Sequence, residues 1–343
     1  MGSCRIVLYF LILYYSNCKI EKVSNMDKNQ KDSLSALVSA TWNTLRTHKE
    51  WEERYAGFSI DVAKGNIVKR VEEKLKKIAS KPKLSLYTSV SREPSEVSLR
   101  FAGQIVACIK EQNGITVTSQ DNFTGAPALS NELLDSSEVD KFLSFFEEKA
   151  DVNKVEDKKG QVIDALLKEL KRSDKILPFV QPILLNSMFF SMPVPFDEKG
   201  NYLQKRRQGY IDIVARVEND DKNCRLCVIQ VNANNNVTPI KSVESALIYA
   251  TFIVALLRSN CAKKWRVFFG LNNGVPENHL EVDIVTAIPS GMSEQSKDFP
   301  GDISFENDLD CAFHCHTLYY EKKELLAGRL KNFGGTYPIC LSK

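Results

Sequence analysis

The sequence predicts an α/β fold, α+β overall, with a central mixed sheet in the C-terminal half of the chain. Three neighbouring segments carry this prediction. Residues 210–217 alternate between apolar and polar side chains around Asp212, which is the pattern of a half-buried strand. Residues 226–231 are nearly all apolar, as in a central strand that is buried on both faces. The apolar run at 241–257 predicts a helix that packs on this sheet.

The N-terminal part of the chain predicts a smaller α+β unit. Apolar residues recur there with the spacing of a helix face, and an Asn-Gly pair at 113–114 predicts a hairpin turn between two strands. The predicted elements are helices at 33–50 and 60–78, strands at 84–90, 97–110 and 115–118, and a helix at 137–149.

The C-terminal part adds elements on both sides of the three segments. A polar turn at 218–223 joins the first two of them, because its Asp and Asn residues favour tight turns. The other predicted elements are a helix at 161–172, a first core strand at 184–192, strands at 265–271, 280–288 and 312–320, and a helix at 322–330.

Charge density predicts how the chain is divided. Residues 151–159 are strongly charged, and we expect a linker there. The division that follows has a hydrophobic extension at 1–25, an α+β unit of unknown role at 26–150 and a larger domain at 151–343.

The N-terminal extension contains an apolar run at 6–15 that follows Arg5. This run is too short to cross a bilayer, which takes about 20 residues, so no membrane span is expected. Two explanations stay open: the run is the core of a signal peptide, or translation begins at Met26 and the extension is not part of the protein.

Composition excludes a strongly basic protein. The chain carries 46 Lys and Arg against 43 Asp and Glu, a net charge of +3, so a nucleic-acid surface would have to be local. The 9 cysteines are odd in number and scattered, which does not suit a disulfide framework and favours a reducing cytoplasm. Export is the alternative if residues 1–18 act as a signal peptide.

The layout of residues 209–257, with Asp212 in the sequence Tyr-Ile-Asp-Ile, resembles the PD-(D/E)XK nuclease superfamily. That superfamily has the restriction-endonuclease-like fold, with an Asp on one strand, Glu-x-Lys on the next strand and then a packing helix. The resemblance covers residues 160–290 at most. It implies a restriction-endonuclease-like core, Mg²⁺ as the cofactor and phosphodiester hydrolysis, with Asp212 as the first metal ligand.

The Glu-x-Lys position departs from the family pattern, because Gln230-Val231-Asn232 stands there. Gln230 keeps a carbonyl oxygen but loses the negative charge, and Asn232 removes the cation. Hard divalent cations prefer anionic oxygen ligands, so one carboxylate and one amide would bind Mg²⁺ weakly. We therefore expect a catalytically degenerate site.

Other residues would restore the chemistry if they reached Asp212. Lys241 begins the following helix and would replace the missing lysine, and Glu244 lies on the same helical face. Glu169 or Asp164, on the preceding helix, would supply a second carboxylate. Each is also explained as an ordinary surface charge. The candidate catalytic residues are Asp212, Gln230, Asn232 and Lys241, and the candidate Mg²⁺ ligands are Asp212, Gln230 and Glu169.

Asp212 also has a purely structural explanation. A carboxylate among apolar strand residues is costly to bury unless it is paired. Arg216 is four residues further along the strand and faces the same side, so it would be a suitable partner.

Two further groups of residues suggest binding. Cys224 and Cys227, and Cys311 and Cys315 with His314 and His316, are zinc-ligand types, but three-residue spacing in a strand sends the first two cysteines to opposite faces. We therefore do not expect zinc. The basic triplet Lys205, Arg206 and Arg207 directly precedes the Asp212 strand and is the best candidate for phosphate contact, with a charged loop as the alternative.

These features leave three hypotheses for function. The first is a nuclease-like protein that has lost catalysis and binds nucleic acid, DNA rather than RNA, or a protein partner. The second is an active Mg²⁺-dependent nuclease that uses Asp212, Gln230 and a relocated lysine. The third is a protein-interaction module without a nucleic-acid role, which the near-neutral charge favours.

Overall fold

A computed structural model describes residues 28–58, 74–76, 78, 81, 83–90, 96–171, 180–203, 208–218, 224–233, 238–271, 279–290, 302–305, 309–321 and 333–335, except 112, 121 and 122. The chain is a mixed α/β protein with two open mixed sheets, which confirms the predicted class. The extension 1–25, the basic triplet at 205–207, most of the predicted helix at 60–78 and the predicted helix at 322–330 lie outside these residues.

Four helices, those that begin at Lys28, Ser137, Lys158 and Pro239, lie close to their predicted positions. Each amphipathic helix buries the apolar stripe that predicted it, as Val139, Phe142 and Phe146 of α3 show. The helices are α1 (Lys28–Thr47), α2 (Glu50–Ala56), α3 (Ser137–Glu148), α4 (Lys158–Lys171), α5 (Pro239–Leu256) and α6 (Ala262–Phe269). Among the described residues, no helix is both long enough and apolar enough to cross a membrane.

The first sheet contains strands from both sides of residue 150. Its strands are β1 (Leu84–Ser89), β2 (Glu96–Phe101), β3 (Gln104–Glu111), β4 (Ile115–Ser119), β5 (Glu132–Leu133), β7 (Phe189–Val194) and β8 (Gly209–Ile211), and β6 (Val180–Pro182) belongs to the second sheet. They are ordered β5-β4-β3-β2-β1-β7-β8, and only the pairing of β1 with β7 is parallel. The division near residue 150 stays a prediction, but the two segments share this sheet.

The second sheet is the predicted central mixed sheet. Its other strands are β9 (Ile213–Glu218), β10 (Cys224–Val231), β11 (Leu280–Pro289), β12 (Asp302–Phe305), β13 (Cys311–Tyr320) and β14 (Phe333–Gly335). They are ordered β12-β13-β11-β10-β9-β6, with β14 also paired to β13. The pairs β10–β11 and β11–β13 are parallel. Strand β10 is therefore central and buried, as its apolar sequence predicted.

The predicted single strand at 97–110 is wrong, because the chain reverses at Ala102 and Gly103. Both residues have positive φ, 45° and 86°, as a two-residue hairpin turn requires. A Cβ on Gly103 would lie 2.0 Å from the Gly160 carbonyl oxygen. Glycine at this turn therefore allows the first turn of α4 to approach the hairpin closely.

The predicted buried strand at 265–271 is also wrong, because these residues lie mostly in α6. Trp265 and Phe269, four residues apart, are fully buried on one face of that helix. A short apolar run does not distinguish a buried strand from a short helix. Gly270, with φ of 70°, ends the helix in the left-handed conformation.

Two other predictions need correction. The charged segment 151–159, predicted as a linker, contains a short 3-10 helix at Val152–Lys154 and the start of α4, and Val155 is buried. The strand predicted at 184–192 begins at Phe189 and pairs in the first sheet, while β6 lies beside β9 in the second. Both segments pack against the core through buried apolar side chains, Val155 in the first and Phe189 and Phe190 in the second.

Helix α5 is buried almost all round and forms the centre of the largest core. Phe252 of α5 packs edge-on against Trp51 of α2, with ring centroids 5.5 Å apart. The N-terminal helices therefore cover one side of α5, and the second sheet covers the other. The first turn of α5 lies beside the end of β10, where Asn232 Nδ2 donates a hydrogen bond to Ser242 Oγ. The candidate site lies at this end of β10.

Candidate functional site

Asp212 lies at a break between two strands. Strand β8 ends at Ile211 and β9 begins at Ile213, which pairs with Ile229 of β10. The backbone N–H of Val231 donates a 2.8 Å hydrogen bond to Asp212 Oδ2. The predicted continuous strand at 210–217 is thus interrupted at its one acid, because that side chain takes a backbone donor of β10.

Lys159, in the first turn of α4, is the cation that pairs with Asp212. Its Nζ lies 3.2 Å from Asp212 Oδ1 and 3.2 Å from Glu198 Oε1. The Asp212 side chain is only 8% exposed, whereas that of Lys159 is 35% exposed. Lys159 therefore links a buried carboxylate to an exposed one.

Burial controls the ionisation of this pair. It raises the pKa of Asp212 to about 6, although Lys159 and the Val231 N–H favour the charged form. Burial also opposes the charge on Lys159, but the carboxylates of Asp212 and Glu198 outweigh it and raise the pKa of the lysine. At neutral pH both groups are charged, and they neutralise each other.

Gln230 is buried on β10, at the level of Asp212 on the neighbouring chain segment. The β9–β10 register places it one position beyond the Ile213–Ile229 pair. Its Oε1 is buried and accepts no hydrogen bond from the described residues, and Thr286 Oγ1, on the neighbouring position of β11, is in the same situation. An amide oxygen without a donor is a suitable neutral ligand for a hard cation or a water molecule.

Asn232 connects the end of β10 to α5 through a side-chain hydrogen bond. Its Nδ2 donates to Ser242 Oγ over 3.1 Å, and its backbone carbonyl accepts a 3.0 Å hydrogen bond from the Tyr320 hydroxyl. The residue is buried. These contacts give Asn232 a positioning role where the family pattern has a lysine.

The polar face of α5 closes the site. Ser245 Oγ donates to the Glu198 carbonyl over 2.7 Å. One turn further on, the Tyr249 hydroxyl is buried and makes no hydrogen bond within the described residues. Burial, then the nearby charges of Glu198 and Asp212, raise the pKa of Tyr249. Tyr249 is therefore a neutral phenol that sequence reasoning missed, because it lies in an otherwise apolar helix.

The structure does not bring the proposed replacement residues to Asp212. Lys241 is exposed in the first turn of α5, and the lysine beside Asp212 is Lys159. Asp164 pairs with Lys168 over 2.8 Å and accepts a hydrogen bond from the Tyr87 hydroxyl.

Glu169 is buried on α4, about 15 Å along the helix from Lys159 at 1.5 Å per residue. The carboxylate that shares Lys159 with Asp212 is Glu198, on the loop after β7. Glu244 is half-buried on α5. Glu198 has no sequence signal, because its loop belongs to no periodic pattern.

Arg216 is not the partner of Asp212. Its Nη2 donates to Gln181 Oε1 over 3.4 Å, on the edge strand β6. Among the described residues, no three His, Cys, Asp or Glu side chains lie close enough together to hold a metal ion. His314 lies 3.5 Å from Glu281 Oε2, across β11 and β13.

The arrangement fits Mg²⁺ only in part. The Gln230 oxygen is available, but the charge of Asp212 is already satisfied by Lys159. The described residues contain no group of three His, Cys, Asp or Glu side chains that would complete a metal site. A divalent cation at Asp212 would have to displace the lysine. Bound there, it would polarise a phosphate and activate a water molecule.

Comparisons with protein-family models, with curated proteins and with solved structures find no match for this chain.

Proposed function

We propose that this chain is a nuclease-like protein that binds nucleic acid without cleaving it. The observation that carries the proposal is the ion pair between Lys159 and Asp212. Hydrolysis in the nuclease superfamily requires free carboxylates to hold Mg²⁺. Here the buried carboxylate of Asp212 is neutralised by Lys159, and neutral side chains stand at Gln230 and Asn232, where the family pattern has charged residues.

Positive charge near Asp212 supports nucleic acid as the ligand. Lys205, Arg206 and Arg207 come just before Gly209 in the sequence, and β8, which begins there, ends next to Asp212. Lys199, next to Glu198 in the sequence, and Lys241, in the first turn of α5, are exposed. Lysine and arginine contacts to phosphates provide most of the affinity in sequence-independent binding, and such affinity falls steeply with salt.

Binding is tested by fluorescence anisotropy with labelled single-stranded DNA, double-stranded DNA and RNA at two salt concentrations. Replacing Lys205, Arg206 and Arg207 together by Ala should weaken binding at least about tenfold and flatten its salt dependence. The matched control replaces Lys141, Lys149 and Lys154, three exposed lysines of the α3 region, by Ala. Equal losses in both triple variants would show that only net charge matters.

An active nuclease is the second candidate, and two observations favour it. Lys159 is a lysine in contact with Asp212, so the cation missing at Asn232 has a replacement on another element. The Gln230 oxygen is buried without a donor in the described part of the chain. In this reading Lys159 would move to the phosphate when Mg²⁺ arrives, and Asp212 and Gln230 would hold the metal.

A further inference from the structure

A cavity of about 550 Å³ lies at the opposite end of α4 from Lys159. It is formed where the last residues of α4 meet β6, β9 and the end of α6. The accessible apolar residues that line it are Leu184, Val267 and Phe268, whereas Leu170, Ile183 and Phe269 are buried. Val267 is 57% exposed, so its apolar side chain is accessible to a ligand. The cavity is within the range of about 300–1,000 Å³ that is typical of small-molecule sites.

The charged side chains that line this cavity are cationic. Arg216 and Lys171 line it, and no Asp or Glu does so among the described residues. The only hydrogen bond of the Arg216 guanidinium within those residues goes to Gln181, and its Nε is buried without an acceptor there. Lys171 Nζ lies 5.7 Å from the ring centroid of Phe189. A buried arginine nitrogen normally has an acceptor, and among the described residues Arg216 Nε has none.

Gly270 makes room for the guanidinium. A Cβ at this position would lie 2.1 Å from Arg216 Nη1. The same residue ends α6 with a positive φ of 70°. The turn after α6 thus has a backbone conformation that glycine favours, and the absence of a side chain leaves space for a cation between α6 and β9.

From these features we propose that the cavity binds a small amphipathic anion, with an apolar body against Leu184, Val267 and Phe268 and its anionic head on Arg216. Arginine pairs with carboxylate and phosphate groups through two parallel hydrogen bonds, and Lys171 adds a second positive charge at the same cavity. The apolar walls contribute to affinity in proportion to the area that the ligand covers. This site is independent of nucleic-acid binding at Asp212.

The test is isothermal titration calorimetry on the full chain with three probes that carry the same octyl chain: nonanoate, octyl phosphate and octanol. We expect at least one anion to bind at least about tenfold more tightly than octanol. In Arg216→Gln that preference should disappear, while the weak binding of octanol stays. Lys263→Gln, the matched control, removes an exposed charge from α6 outside the cavity and should leave all three affinities unchanged.

Two results would overturn the proposal. One is that neither anion binds more tightly than octanol at about millimolar concentration. The other is that the anion preference persists in Arg216→Gln. If this variant does not fold, Lys171→Gln provides the same test at an exposed position, and an anion affinity unchanged there would count against the site.

Discussion

Lys159 Nζ lies 3.2 Å from Asp212 Oδ1, so the first turn of α4 neutralises the carboxylate at the break between β8 and β9. The same carboxylate accepts the Val231 N–H through its other oxygen. Both oxygens of Asp212 are therefore engaged by the protein itself. This pairing explains how an acid is kept at the end of a buried strand at neutral pH.

Removal of the lysine should expose the cost of that buried charge. Lys159→Met is expected to lower the free energy of unfolding by about 1–2 kcal/mol, less than for a fully buried pair because the lysine is 35% exposed. The loss should shrink in an Asp212→Asn background. Urea unfolding of wild type, the two single variants and the double variant measures the coupling free energy between Lys159 and Asp212. Lys141→Met, which breaks the exposed pair with Glu138, is the control and should leave the midpoint unchanged.

The raised pKa of Asp212 predicts a pH dependence of stability. Its folded value of about 6 exceeds the unfolded value of about 3.8, so the folded state holds the proton more tightly. Stability from this group is therefore full below pH 3.8 and is lost as the pH rises to about 6. Urea unfolding should show wild type weakening relative to Asp212→Asn across that window.

Asp197 provides a comparison with the opposite sign. Slight burial opposes its charge, but hydrogen bonds from Asn201 and from the Lys199 N–H outweigh this and lower its pKa. Its contribution should be lost as the pH falls, so wild type should weaken relative to Asp197→Asn on acidification. A parallel trend in both pairs of proteins would contradict the assignment for Asp212.

Metal affinity should be weak until the site regains free carboxylates. Lys159→Met combined with Gln230→Glu frees Asp212 and adds an anionic ligand. We expect Mn²⁺ binding, measured by electron paramagnetic resonance, to strengthen by at least about tenfold. Adding Asp212→Asn to this double variant should cancel the gain. Wild-type binding as tight as that of the double variant would mean that Lys159 does not block the metal.

Gly270 should be intolerant of a side chain. Gly270→Ala places a β-carbon on a residue with φ of 70°, which costs about 1–2 kcal/mol, and forces Arg216 to move. Thermal unfolding measures the loss. Gly57→Ala is the control, because Gly57 ends α2 with an ordinary φ of −79°. That replacement should be neutral or slightly stabilising.

Strong periodic patterns in the sequence predicted much of the fold. The apolar runs of β10 and α5 predicted buried elements at the right positions, because burial imposes a regular apolar pattern. Strand β11 lies at its predicted position and is buried on both faces. The predictions were wrong for short segments, because tertiary contacts decide the secondary structure there. Trp265 and Phe269 form a helix face only because a core lies beside them, and the Ala102–Gly103 reversal depends on a turn without a strong sequence signal.

The candidate site was predicted only around Asp212. Gln230 and Asn232 were predicted to lie beside Asp212, one within β10 and one just after it, whereas Lys159 comes from the predicted linker and Glu198 lies outside every predicted element. Their meeting depends on the close approach of Gly103 to Gly160, which sequence spacing does not reveal. Ion pairs between distant elements carry no local pattern, so such partners are found only in three dimensions.

The most direct test of the central claim reads binding and cleavage on one sample. End-labelled DNA is incubated with the wild-type protein in Mg²⁺ and in Mn²⁺, and each sample is run on a native gel and on a denaturing gel. We predict a retarded complex on the native gel and full-length DNA on the denaturing gel, with Asp212→Ala giving the same pattern. Shortened DNA that appears with wild type and disappears with Asp212→Ala would contradict the claim and establish an active nuclease.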